Sequence, residues 1–220
     1  MEVVNEFCDL LQSHANRDKV VALTSYTLKL WGATSSSQTV MTASARLAGA
    51  RATLRLFDDA AALKILYNYG LGKHEGPVWG ALGVTNSAFT LAYLQAEKLV
   101  WLLDTGVLKL SDDIAFNVRT AHKLFWSLSA FLGLIRSIRT LHMAAVNLKS
   151  NRTKCAPARF TQAALTSTKF LLDVVHAVSW LPPGWLWGSA MKTSHAASVA
   201  AASGVLALVM HYHGRRLLPR

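Results

Sequence analysis

The chain has 220 residues, 52% hydrophobic and only 16% charged, with 23 Lys and Arg against 12 Asp and Glu and a formal charge of +11. A soluble domain usually carries about 25% charged residues, so this composition argues against a simple soluble enzyme, and a mean hydropathy of +0.27 argues against disorder. Two cysteines, Cys8 and Cys155, exclude a disulfide scaffold and a Cys-rich zinc site and fit a reducing compartment or indifference to redox.

The charge is divided unevenly. Residues 1–113 hold 11 acids and 10 bases, whereas residues 114–220 hold 13 bases and a single acid, Asp173. A basic excess beside apolar sequence favours an anionic lipid surface over nucleic acid, whose binders are more polar and more densely charged. Two regions follow: an amphipathic, membrane-associated one over 1–113 and a basic, apolar one over 114–220. The start is acidic and lacks a secretory h-region, and the tail is not a Ser-Lys-Leu address, so any insertion must use internal segments.

Proline is rare and alanine and leucine dominate, which predicts an all-α chain. Residues 3–13 place Val3, Phe7, Leu10 and Leu11 on one face. Asn16 then caps a helix with Asp18 in its first turn, a stripe of Val20, Leu23, Thr27 and Leu30, and an end near Gly32. Residues 34–37 read as a loop or weak helix start.

Residues 45–68 form the clearest amphipathic helix. At 100° per residue, Arg51, Arg55, Asp58, Asp59 and Ala62 share one narrow face. Ala50, Leu54, Phe57, Ala61 and Ile65 form the adjoining apolar stripe, and Arg55 and Asp59 stand at pairing distance, i,i+4. By composition alone, such a stripe more often faces a soluble core. The membrane-like remainder of the chain favours lipid here. Tyr69-Gly-Leu-Gly72 closes the helix.

Residues 76–96 are free of Lys, Arg, Asp and Glu, but Pro77, Gly80, Gly83, Asn86 and Gln95 make them a poor spanning segment. The helix continues through Leu91, Leu94, Lys98 and Trp101 to about Leu103. Asp112 and Asp113 open a long helix, with acids where the dipole favours them. Its uncharged run, 124–135, falls short of the roughly 20 residues a span needs, although Lys123 and Arg136 can snorkel. Residues 149–159 form a polar basic connector. A helix from about Thr161 carries Leu165, Phe170, Leu171 and Val174 and ends at Leu181-Pro-Pro-Gly184. Trp180, Trp185 and Trp187 around that turn either pack a corner or mark a membrane interface. Residues 193–214, followed by Arg215 and Arg216, are the best transmembrane candidate, and Ala200, Ser203 and Gly204 allow close helix approach.

No catalytic constellation is present: no Gly-x-Ser-x-Gly elbow, no P-loop, no His-Glu-x-x-His. Gly70-Leu-Gly-Lys-His-Glu-Gly76 has the wrong spacing for a dinucleotide loop and reads as a helix end. His211 and His213, at i,i+2, point to different faces and make a poor metal site, with Tyr212 as an interface anchor. Asn151-Arg-Thr153 matches a glycosylation acceptor but lacks the secretory context. No catalytic, cofactor-binding or metal residue is assigned, no cofactor is expected, and neither is a nucleic-acid partner.

Four motifs in order resemble one family. Arg17-Asp-Lys19 with Tyr26 and Leu30-Trp-Gly32 resembles the N-terminal part of the peroxisomal membrane protein 11 family. Leu54-Arg-Leu-Phe-Asp-Asp59 with Tyr69-Gly-Leu-Gly72 is similar to its gamma (C) type, as is Ala92-Tyr-Leu-Gln-Ala-Glu-Lys-Leu-Val-Trp101. Val175-His-Ala-Val-Ser-Trp-Leu-Pro182 with Gly184-Trp-Leu-Trp187 resembles its late Trp-Leu-Pro motif.

The resemblance implies a helical integral protein of the peroxisomal membrane, or of the related glycosome, that promotes organelle elongation, proliferation and division. It implies an amphipathic helix over about 46–65 that inserts into anionic phospholipid membrane. It also implies homo- or hetero-oligomers with related members and engagement of dynamin-type fission machinery. On this reading Leu54, Phe57, Ala61 and Ile65 enter lipid, while Arg46, Arg51, Arg55 and Lys64 meet phosphates. Asp58 and Asp59 make the helix less basic than in the tubulating members. Lys149, Arg152, Lys154 and Arg159 serve targeting, and 193–214 anchors the chain. The alternative is a channel or transporter for small metabolites, with Asn86, Ser87, Thr90 and Gln95 lining a pore.

Overall fold

The computed structural model describes residue 8 and residues 10–150, 154–215 and 217. Val3, Phe7, Asn151, Arg152, Arg216 and Arg220 lie outside the described residues. The chain is all-α, as its composition predicts. It runs through α1 (His14–Ser35), α2 (Gln38–Leu54), α3 (Asp59–Tyr69), α4 (Pro77–Asp104), α5 (Asp112–Lys149), α6 (Ala156–Ser179) and α7 (Thr193–Arg215), with no strand among the described residues. Short 3-10 turns occupy Arg55–Phe57 and Lys73–Glu75.

Successive helices pack on one another: α1 on α2, α4 on α5, α5 on α6, and α6 on α7. α7 then packs on α1, so the acidic-and-basic first half and the basic second half share one body.

The interior is rich in small residues. Ala22, Ala96, Ala130, Ala177, Ala197 and Ala200 are buried, together with Ser25, Ser44, Ser127, Ser167 and Ser203, beside a short aliphatic cluster of Val174, Val178 and Leu181 around Ala130 and a buried Leu94. Phe57, Phe116, Phe131, Ile138, Leu171 and Val205 instead face outward. A water-soluble bundle does the reverse. Helices in lipid gain little from burying large apolar side chains, so they pack through small residues and interhelical hydrogen bonds.

Such bonds tie three of the crossings. Ser25 Oγ donates to the Ser44 carbonyl at 3.1 Å and Ser44 Oγ donates back to the Ser25 carbonyl at 2.8 Å, tying α1 to α2. Ser129 Oγ donates to Asn86 Oδ1 at 3.2 Å and shares a 2.8 Å bond with Thr90, tying α4 to α5. Asp173 joins Lys169 on its own helix to Ser203 on α7. A ring-contact chain crosses the middle. Tyr26, His176, Trp126 and Tyr93 follow one another at centroid distances of 5.2, 5.5 and 6.4 Å, linking α1, α6, α5 and α4.

The structure corrects several boundaries. α1 does not stop near Gly32. It runs to Ser35 and turns at Ser36, which adopts φ 54°. Gly32 is instead a contact point, because a Cβ there would come within 2.8 Å of Met41 Cγ on α2. The predicted single helix over 45–68 is broken by the 3-10 turn at Arg55–Phe57. α6 starts at Ala156, not near Thr161, since Pro157 in a first turn has no N–H to lose. Trp180 stands 6.0 Å from Trp126 inside the ring chain, while Trp185 and Trp187 are exposed.

Thr193–Gly214 is long and apolar enough to cross a membrane, as expected, and so is α5. The 124–135 run understated α5 because Arg136 and Arg139 are not bare charges. Both pair with Glu75, and their guanidinium groups lie over the rings of Tyr69 and Trp79 at 5.1 and 4.5 Å. Deleting residues 193–220 should therefore leave the chain in the membrane through α5. Alkaline carbonate extraction of the truncated protein checks this: retention in the pellet is expected, and release would leave α7 as the sole anchor.

Candidate membrane-remodelling surface

The segment from α2 through the Arg55–Phe57 turn to α3 has two faces with opposite fates. Leu54, Phe57, Leu63, Ile65 and Tyr67 are 50%, 81%, 52%, 66% and 87% exposed. Ala50, Ala61, Arg46 and Lys64 are exposed beside them. Arg51, Arg55, Asp58 and Asp59 are half-buried against α1 and α4. The apolar face looks out and the charged face looks in.

The inward face is held by a lattice of charge-assisted bonds. Arg51 grips Asp18 of α1 with two nitrogens, Nε to Oδ1 at 2.7 Å and Nη2 to Oδ2 at 3.0 Å. Such bidentate pairs fix orientation as well as adding energy. Arg55 lies over the Tyr93 ring at 5.3 Å and reaches Glu97 of α4 at 3.3 Å. Tyr93 donates to the other Glu97 oxygen at 3.0 Å. Lys98 meets Asp59 at 2.6 Å, and Gln95 donates to the same oxygen at 3.3 Å. His14 contacts Asp58 at 2.9 Å, and Trp101 Nε1 donates to Thr53 at 3.0 Å.

These partners set the carboxylates apart. Burial pushes Glu97 above the usual carboxylate range, against the pull of Arg55. The Lys98 hydrogen bond holds Asp59 below that range. The i,i+4 pair between Arg55 and Asp59 does not form. Asp59 turns to Lys98, and Arg55 takes Glu97 and, at 3.7 Å, Asp58.

Of the residues singled out for membrane contact, the structure groups Arg46, Leu54, Phe57, Ala61, Lys64 and Ile65 on the outside. Arg51 and Arg55 are turned inward, because their partners Asp18 and Glu97 lie 33 and 42 positions away and only the tertiary fold brings them close. Tyr67 joins the outer face without having been singled out; its aromatic ring beside Lys64 was the available signal. Lys149, Lys154 and Arg159 are exposed around the α5–α6 connection. The suggested pore residues serve other contacts: Asn86 and Thr90 bond Ser129, Ser87 donates to the Gly83 carbonyl at 3.0 Å, and Gln95 bonds Asp59.

A helical body with large apolar side chains outside and paired charges inside is a membrane protein's arrangement. Its sequence matches the model of the Peroxisomal biogenesis factor 11 (PEX11) family over residues 4–211. The chain belongs to this family. It is 28% identical over 210 residues to Peroxisomal membrane protein 11C of Mus musculus, and 26% identical over 208 residues to that of Homo sapiens; each match covers 85% of both proteins. No solved structure matches it. The chain is thus a peroxisomal membrane protein of organelle biogenesis, as its motifs implied.

The two faces predict opposite mutational responses. Asp18→Asn should cost about 1–3 kcal/mol, because it strips a half-buried guanidinium of its partner. Phe57→Glu should stay within about 0.5 kcal/mol, as expected for an exposed site. Thermal unfolding of the full chain in detergent measures both, and a Phe57→Glu loss as large as that of Asp18→Asn would mean that the apolar face packs internally.

Proposed function

We propose that the α2–α3 segment lies as a wedge in one leaflet of the peroxisomal membrane and drives elongation and division of the organelle. The observation that carries this reading is the outward apolar face of Leu54, Phe57, Ala61 and Ile65, with the charged face tied to α1 and α4. Each large apolar side chain entering lipid contributes about 1.5–3 kcal/mol. Arg46 and Lys64, exposed at the rim, meet lipid phosphates. Arg51 and Arg55 act differently: they clamp the wedge to the body, so that insertion strains the bilayer instead of merely repositioning a loose helix.

Many copies are needed to bend a bilayer, so the active form is a homo- or hetero-oligomer of related members that recruits a dynamin-type fission machinery. The role is mechanical and non-enzymatic. Lys149, Lys154 and Arg159, exposed next to apolar helices, and Arg152, near them in sequence and outside the described residues, are the bases that we assign to targeting.

Full-length protein reconstituted into giant vesicles rich in anionic lipid should draw tubules. Phe57→Glu and Ile65→Glu should each weaken tubulation by about tenfold or more, and added salt should weaken it further through screening. Asp59→Lys would oppose Lys98 and loosen the clamp, so it should impair tubulation despite its added positive charge. Unchanged tubules from both apolar-face variants would remove the wedge from the mechanism.

A further inference from the structure

A second apolar feature runs along α5 and α6. One cavity of about 380 Å³ opens beside Trp79, Arg136, Arg139 and Phe170. Another, of about 550 Å³, opens beside Ala144, Arg159, Ala163 and Leu217. Both are bounded by Ser137, Thr140, Met143 and Thr166, so they form one trough along α5 and α6. Each volume falls in the range of small-ligand sites.

The wall is more apolar than its residue names suggest. Ser137 donates to the Leu134 carbonyl at 2.8 Å, Thr140 to the Arg136 carbonyl at 3.1 Å, and Thr166 to the Gln162 carbonyl at 2.8 Å. Their hydroxyl protons are used within their own helices. Charge sits at the ends. At one end Glu75 is shared by Arg136 at 2.9 Å and Arg139 at 3.3 Å, leaving an excess of positive charge. At the other end Arg159 is exposed and has no carboxylate partner among the described residues. Asp173, the one acid of 114–220, is taken by Lys169 and Ser203.

An apolar trough whose rim carries Arg159, with no carboxylate partner for it among the described residues, calls for an occupant with a long apolar chain and an anionic head. We propose that the trough holds one anionic phospholipid, its phosphate on Arg159 and an acyl chain lying against Met143 and Ala144 of α5, short of the Glu75-paired Arg139. Basic pockets between membrane helices capture acidic headgroups by this combination. The site is independent of the α2–α3 wedge.

Full-length protein in neutral detergent is incubated separately with phosphatidylserine, phosphatidylcholine, oleate or inorganic phosphate, and bound molecules are counted by native mass spectrometry. One phosphatidylserine per chain is expected, retained at least about fivefold better than phosphatidylcholine. Arg159→Gln should cut that retention by about fivefold or more, while Arg159→Lys keeps most of it. Met143→Trp, at a position 52% exposed, should fill the trough and abolish retention without changing the thermal melt. Phe57→Glu should retain the lipid, which separates this site from the wedge. Equal retention of the two phospholipids, displacement by equimolar oleate or phosphate, or wild-type retention by Met143→Trp would overturn the proposal.

Discussion

Arg51 closed on Asp18 is the contact on which the orientation of the α2–α3 segment depends. It fixes the charged face inward at a point where α1 and α2 also exchange hydrogen bonds through Ser25 and Ser44. With that face committed, Arg55 falls over Tyr93 and beside Glu97, and Asp59 meets Lys98. Leu54, Phe57 and Ile65 are then left to face outward. A half-buried ion pair adds modest stability by itself, because desolvation offsets much of its attraction. Its value here is directional: it decides which side of the segment the surroundings meet.

Charged groups elsewhere in the body meet the same constraint, whereas Ser167 and both ring nitrogens of His176 are buried without a hydrogen-bond partner among the described residues. In a bilayer, polar groups must find partners inside the protein. α5 keeps Arg136 and Arg139 within an apolar helix by lending them Glu75 and two aromatic rings. α6 and α7 meet across Asp173 and Ser203. Alanine and serine at the crossings let helices approach closely enough for such short bonds, and many bulky apolar residues stand on the outer surface.

Much of this was legible in the sequence, and what was not has a common cause. The helical class, the 193–214 segment and the separation of Arg51, Arg55, Asp58 and Asp59 from Leu54, Phe57 and Ile65 all follow from periodicity, which is a local property. The partners of those charges do not. Nothing within one helical turn of Arg51 announces Asp18, and the local i,i+4 rule favoured Asp59 for Arg55 where the fold supplies Glu97. Gly32 reads as a stop signal in one dimension and proves to be a packing site in three, because its missing Cβ is needed by Met41. The 3-10 turn at Arg55–Phe57 is likewise not announced by the periodicity; it stands between Arg51, held by Asp18 of α1, and Asp59, held by Lys98 of α4.

The direct test of the central claim is the depth of each face in a bilayer. Single cysteines at positions 52, 57, 61, 62 and 65, in a full-length chain with Cys8 and Cys155 replaced by serine, would leave the ion pairs intact and carry a fluorophore quenched by brominated acyl chains in anionic vesicles. The account predicts strong quenching at 57, 61 and 65 and weak quenching at the half-buried positions 52 and 62. Equal quenching on both faces, or protection of 57 and 65, would contradict an apolar face held outward by inward-facing ion pairs.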